Sequence, residues 1–124
     1  MLDQTKALAK SLGISENVIF LGFNKNPYPF IKNAKGFVLS SCSEGFGRVI
    51  QEALALKVPV ISTNCQSGPS EMLPESSLVP VGDVQALASK MTELMADPQS
   101  FSVDFDEKFL PKNIAQQYVN YLTC

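Results

Sequence analysis

The sequence predicts an α/β fold: a Rossmann-like parallel sheet with helices on both faces. Three observations predict it. Short apolar runs alternate with helical patterns along the chain, the runs are continuous rather than alternating, and the connections between them are short. Continuous apolar runs suit strands covered on both sides. Strand–helix–strand order with short connections implies parallel strands joined by right-handed crossovers. At 124 residues the chain has room for one ordinary domain, taken here as 1–124.

Each element follows from local pattern. Residues 2–12 place Leu2, Ala7, Leu8 and Leu12 at helical spacing, and Gly13 supplies a C-terminal stop. Val18 to Leu21 is an apolar run closed by Gly22, read as a strand. Asn24 to Pro29 is turn-forming, and Pro27 can open a short helix through Phe30, Ile31 and Ala34. A second strand runs from Gly36 to Ser40, and a helix follows from about Gly47 to Lys57. Pro59 to Ser62 is a third strand and Leu78 to Val81 a weaker fourth. Asp83 is the expected N-cap of a helix over Val84 to Ala96, with apolar positions Val84, Leu87, Ala88, Met91, Leu94 and Met95. Asp97-Pro98 stops it, and a last helix spans about Pro111 to Leu122. A doubly wound sheet of four strands that opens on a helix also leads us to expect at least one strand–helix unit before residue 1.

Composition removes several function classes. Ten basic against twelve acidic residues give a net charge of −2, which offers no cationic face to nucleic acid. There is no histidine, which rules out serine–histidine and cysteine–histidine nucleophilic chemistry and most zinc catalysis. No apolar run approaches the roughly 18 residues that cross a bilayer. The three cysteines form no CxxC pair, and Cys42 and Cys65 read as small, half-buried hydrophobes. That usage fits a reducing compartment, the cytoplasm.

In open parallel sheets ligands gather outside the carboxyl ends of the strands. Three loops share that edge, at residues 23–27, 42–47 and 63–71, and they hold the unusual chemistry of the chain. Glu44 and Glu52 bracket a predicted helix start. Eight residues at 1.5 Å rise put them at most about 12 Å apart. A glycosidase pair needs its carboxyls within about 5–9.5 Å across one bond. The two glutamates therefore suit opposite ends of a long ligand. Between them, free N–H groups and the positive end of a helix dipole favour phosphate, and Gly45 and Gly47 let a ligand approach the main chain. A sugar nucleotide has that layout. Exposed helix glutamates and glycine turns are each ordinary alone; their coincidence at a strand end carries the signal.

The run SSCSEGFGRVIQEALALKVPVISTNCQSGPSEML resembles the signature region of retaining family 4 glycosyltransferases, the "group 1" transferases of GT-B fold. Their hallmark is one glutamate, seven residues and a second glutamate, here Glu44 and Glu52, followed by an Ala-rich helix and a Pro-Val strand. NVIFLGF upstream and LVPVGDVQALASKM downstream extend the likeness over residues 5–97. The resemblance implies the C-terminal, donor-binding half of a two-domain enzyme. In it Glu44 is the catalytic residue and binds hydroxyls of the donor sugar, cradled by the backbone of Gly45, Phe46 and Gly47. Arg48 and Val49 lie at the diphosphate through their N–H groups, and Glu52 accepts from the ribose. Phe23 and Asn24 form the base-binding edge, and Gly68 and Glu71 close the donor site from the other side.

The implied reaction is transfer of a hexose from a UDP- or GDP-sugar, with retention and without metal or other cofactor, in bacterial polysaccharide or lipid-linked glycan synthesis. The location is then the cytoplasm, and the resemblance allows peripheral association with the inner membrane face through the acceptor. Two departures stand out: the family's Arg/Lys pair for the diphosphate and its N-terminal acceptor domain both belong to chain preceding residue 1. Arg48 is the only arginine present, too little to neutralise a diphosphate alone, so residues 1–124 by themselves are expected to be inactive. The alternatives are a non-catalytic nucleotide-binding module and a GT-B relative such as a sugar-nucleotide epimerase or a phosphorylase. A response-regulator-like domain needs an acidic cluster after the first strand, which residues 18–23 lack. Asp104-Phe105-Asp106 spells the DxD of metal-dependent transferases but sits in a polar connector. Lys25, Lys32 and Lys35 read as a solvated face.

Overall fold

The computed structural model describes residues 2–43, 47–66 and 68–104. The chain runs through α1 (Leu2–Ser11), a 3-10 turn at Ser15–Asn17, α2 (Tyr28–Lys32) and β1 (Phe37–Leu39). Then come α3 (Arg48–Ala55), β2 (Val60–Thr63), α4 (Pro69–Met72) and a second 3-10 turn at Glu75–Ser77. It continues with β3 (Leu78–Val79), α5 (Val84–Ala96) and a last 3-10 turn at Pro98–Phe101. The three strands form a parallel sheet in the order β1-β2-β3. Phe37 pairs with Val60 and Leu39 with Ser62, while Ser62 and Thr63 pair with Leu78 and Val79. All four residues of the central β2 are buried.

Alternation along the strands divides the core between two layers. Phe37, Leu39 and Val60 face Ile31 of α2 and Ile50, Ala53 and Leu54 of α3. Val38 and Ile61 face Leu87 and Leu94 of α5, with Phe101 beyond. Ile50 and Ile61, both fully buried, anchor one layer each, and each contributes about 1.5–3 kcal/mol relative to an exposed side chain. Helices therefore cover both faces of the sheet, as the continuous apolar runs require.

The connections are explained locally. At the end of α3, the Lys57 N–H donates to Leu54 O at 2.9 Å and the Val58 N–H to Ala53 O at 3.0 Å. These are the paired bonds of a Schellman cap, which needs a left-handed residue at its turn. Lys57 fills that place with φ +62°, where glycine is the unstrained choice. Lys57→Gly is accordingly expected to raise stability by about 1 kcal/mol, read as a higher urea midpoint with an unchanged slope. At the start of α5, the Asp83 side chain accepts from Ala86 N at 2.9 Å, the N-cap expected from sequence.

Several expectations need correction. Val18 to Leu21 is not a strand: Val18 is extended, but no described strand pairs with residues 18–21, and Ile19 is 82% exposed. An apolar run records a tendency to be covered; a strand also needs a neighbour to take its N–H and C=O groups. The described sheet thus has three strands rather than four. The strand at Leu78 ends at Val79 because Pro80 has no N–H to continue the ladder. In α1 only Ala9 is buried, while Leu2, Leu8 and Leu12 are exposed. In α5 Val84, Met91 and Met95 are exposed, since the helix meets the sheet through Leu87 and Leu94. Neither Cys42 nor Cys65 is half-buried: Cys65 is buried in the core and Cys42 is exposed. The helix expected over 111–122 lies outside the described residues, as does the DxD element beyond the exposed Asp104.

Candidate functional site

The carboxyl edge of the sheet is where the two strand-to-helix loops meet. β1 leads to α3 and β2 leads to α4, and because the strands are adjacent and parallel both helices begin on the same edge. The Thr63 hydroxyl donates to Ser41 O at 2.6 Å, tying the loop after β1 to the end of β2. α3 starts at Arg48, with Gly47 as its N-cap. Gly47 has φ +67°, and a Cβ there would lie 2.7 Å from Met72 Cε and 3.8 Å from Gly68 Cα. Gly68, with φ +96°, opens α4 in the same way. The two glycines therefore let the two helix starts abut. A side chain at position 47 would have to displace Met72.

Gly47 brings no side chain to cap α3. Its carbonyl accepts from Ile50 N at 2.9 Å and Gln51 N at 3.3 Å. Helix geometry leaves the N–H groups of Arg48 and Val49 without intrahelical acceptors, at the positive end of the dipole. Such an end can hold an anion. Arg48 is exposed and Val49 half-buried.

Glu52 lies one turn further along α3 and is half-buried. Arg48 and Glu52 are four residues apart, a spacing that commonly gives an ion pair. Among the described residues no ion pair joins them, and the Tyr28 hydroxyl instead donates to Glu52 Oε1 at 3.2 Å. The charge of Glu52, with this hydrogen bond, holds the Tyr28 phenol above its ordinary value, while the positive charge of Arg48 pulls the other way. Tyr28, Arg48 and Glu52 thus form one electrostatic cluster where α2 meets α3.

The remaining predicted residues divide clearly. Gly47, Arg48, Val49, Glu52 and Gly68 lie together along the starts of α3 and α4. Glu71 is exposed in the first turn of α4, its N–H donating to Gly68 O at 3.0 Å. Phe23 is 93% exposed, and Asn24 Oδ1 accepts from Asn26 N at 2.9 Å in a local turn; no described contact brings either residue to Glu52. Glu44, Gly45 and Phe46 lie outside the described residues. Sequence reading passed over Tyr28, whose one signal was its place inside the turn-forming segment Asn24 to Pro29, directly after Pro27. Among the described residues no group of His, Cys, Asp and Glu could hold a metal ion, and no helix is long and apolar enough to cross a membrane.

This architecture is that of a Rossmann-like α/β domain with its candidate site at the carboxyl edge of the sheet. Residues 1–109 match the family of glycosyl transferases group 1, and the chain belongs to that family. It is 32% identical over 98 residues to the N-acetylgalactosamine-N,N'-diacetylbacillosaminyl-diphospho-undecaprenol 4-alpha-N-acetylgalactosaminyltransferase of Campylobacter jejuni, covering 77% of this chain and 27% of that protein. Among solved structures it superposes on the apo form of the lipopolysaccharide outer core galactosyltransferase WaaB with a TM-score of 0.81 and 22% identity, covering 98% of this chain and 37% of the other. Anabaena HepE in complex with UDP gives a TM-score of 0.78 and 24% identity, covering 96% of this chain and 36% of the other. These likenesses establish the fold, that of GT-B glycosyltransferases. The chain spans between 18% and 33% of the length of the curated relatives it matches.

Proposed function

We propose that residues 1–124 are the donor-binding domain of a glycosyltransferase that moves a sugar from a nucleoside diphosphate sugar to a growing glycan. Transfer proceeds with retention and without a metal. The observation that carries this reading is the junction at the sheet edge, where the uncapped start of α3 abuts the start of α4 and Glu52 stands one turn away. A diphosphate would rest against the N–H groups of Arg48 and Val49, and its ribose would donate to Glu52. Glu44, in the loop before α3, would grip the sugar, with the backbone of Gly45, Phe46 and Gly47 beside it. Gly68 and Glu71 would flank the site from α4, and Phe23 and Asn24 would reach the base once donor is bound. Family membership and the fold shared with a protein crystallised with UDP support this reading.

The domain contributes positioning and a preorganised positive end for the departing diphosphate, both of which lower the barrier without covalent chemistry. An acceptor domain and further cationic groups for the diphosphate would come from other parts of the protein. The names of relatives, one built on diphospho-undecaprenol and others on lipopolysaccharide, support a surface polysaccharide or lipid-linked acceptor.

The test is a titration of the full-length protein with UDP- and GDP-sugars. A donor at a hundred times its Kd should stabilise the fold by about 2.7 kcal/mol, visible as a rise in Tm. Glu52→Ala should weaken donor affinity by about tenfold while kcat changes little, since a ribose contact is equal in ground and transition states. No stabilisation by any UDP- or GDP-sugar, or an unchanged donor KM in Glu52→Ala, would sink the proposal.

A further inference from the structure

Glu52 does not stand alone on α3, and the group that engages it comes from a different part of the chain. Tyr28, the first residue of α2, is 24 residues away in sequence and hydrogen-bonds Glu52 Oε1 at 3.2 Å. We infer that Tyr28 is a positioning residue, fixing the Glu52 carboxylate so that it favours a ribose over a sugar lacking its 2′ and 3′ hydroxyls. This rests on the proposed role of Glu52 at the ribose.

The frame around the pair is rigid at its base. Ile31, one turn along α2, is buried in the cluster that contains Ile50, Ala53 and Leu54 of α3. The end of α2 is closed by the Asn33 side-chain amide, which donates to Pro29 O at 2.7 Å. The backbone under Tyr28 is therefore held against the helix that carries Glu52. A glutamate without a partner samples many rotamers, and binding must order it. The phenol does that ordering in advance at one oxygen. Both lone pairs of Oε2 and the second lone pair of Oε1 remain as acceptors, enough for two vicinal hydroxyls. Arg48, the other group in reach, is not paired with Glu52, so the described ordering comes from Tyr28. A tyrosine phenol is protonated at neutral pH in any case, and the adjacent carboxylate makes its proton harder still to remove.

Tyr28 is 45% exposed, so its hydroxyl adds little to folding and a purely structural role can be separated from positioning. The experiment titrates the full-length protein with UDP and with GDP, each against its 2′,3′-dideoxy analogue, by calorimetry. Wild type should prefer the ribonucleotide. Tyr28→Phe should shrink that preference about 3- to 10-fold by weakening the ribonucleotide alone, with Tm and dideoxynucleotide affinity unchanged. Glu52→Ala should remove the preference, and Tyr28→Phe added to Glu52→Ala should change nothing further. If Glu52→Ala removes the preference and Tyr28→Phe leaves it intact, the positioning role is wrong and the ribose role of Glu52 stands. Equal weakening of both nucleotides by Tyr28→Phe also overturns positioning. If wild type shows no preference, or Glu52→Ala keeps it, both readings fall.

Discussion

Alanine at position 44 is expected to lower turnover of the full-length enzyme by about 10²–10³-fold, with the donor KM changed far less. Glu44 follows β1 by five residues and precedes α3 by four, in the segment of sequence that joins the carboxyl end of that strand to the helix. Its proposed work is to hold hydroxyls of the donor sugar while the bond to the diphosphate breaks. A hydrogen bond from a sugar hydroxyl strengthens as the ring becomes electron-poor, so the contact matters more in the transition state than in the bound donor. Glu52, proposed to hold the far end of the nucleotide, would feel no such change. Initial rates of labelled sugar transfer at saturating donor would show the contrast. A kcat within threefold of wild type for Glu44→Ala would remove that residue from the chemistry.

Valine at position 47 is the second large effect. It forces a β-branched residue into φ +67° and puts a Cβ 2.7 Å from Met72 Cε. The left-handed backbone costs about 1–2 kcal/mol, and overpacking against α4 adds about 1–3 kcal/mol. The expected sum is a loss of about 2–5 kcal/mol, together with loss of donor binding as the two helix starts are pushed apart. Gly47→Ala is the milder control, because the flexible Met72 side chain can give way. Urea midpoints and the donor titration read the two effects separately. A Gly47→Val protein as stable as wild type would show that the close approach of the two loops is not required.

Local signals carried much of the fold. Asp83 followed by the helical pattern over Val84 to Ala96 was enough to place α5 and its cap, because a cap is satisfied within three residues. Glycine before an Ala-rich run placed α3, and the apolar runs read at Gly36 to Ser40 and Pro59 to Ser62 placed two strands, which the structure forms at Phe37–Leu39 and Val60–Thr63. The run at Val18 to Leu21 failed for the converse reason: its apolar pattern is local, but pairing depends on residues elsewhere. At the site, Gly47, Arg48, Val49 and Glu52 were legible because one helix start sets all four positions. Tyr28 was not, since its link to Glu52 spans 24 residues and leaves no periodic trace.

The sequence by itself determined the alternation of strands and helices, the glycine-opened start of α3, and the eight-residue spacing of Glu44 and Glu52 across that start. These are properties of neighbouring residues and of helix geometry. Only the tertiary structure decided that the two helix starts touch and that a phenol from α2, rather than Arg48 on the same helix, takes the Glu52 carboxylate. Those outcomes depend on how adjacent parallel strands and Ile31 bring distant backbone together, and packing of that kind is written in no local pattern.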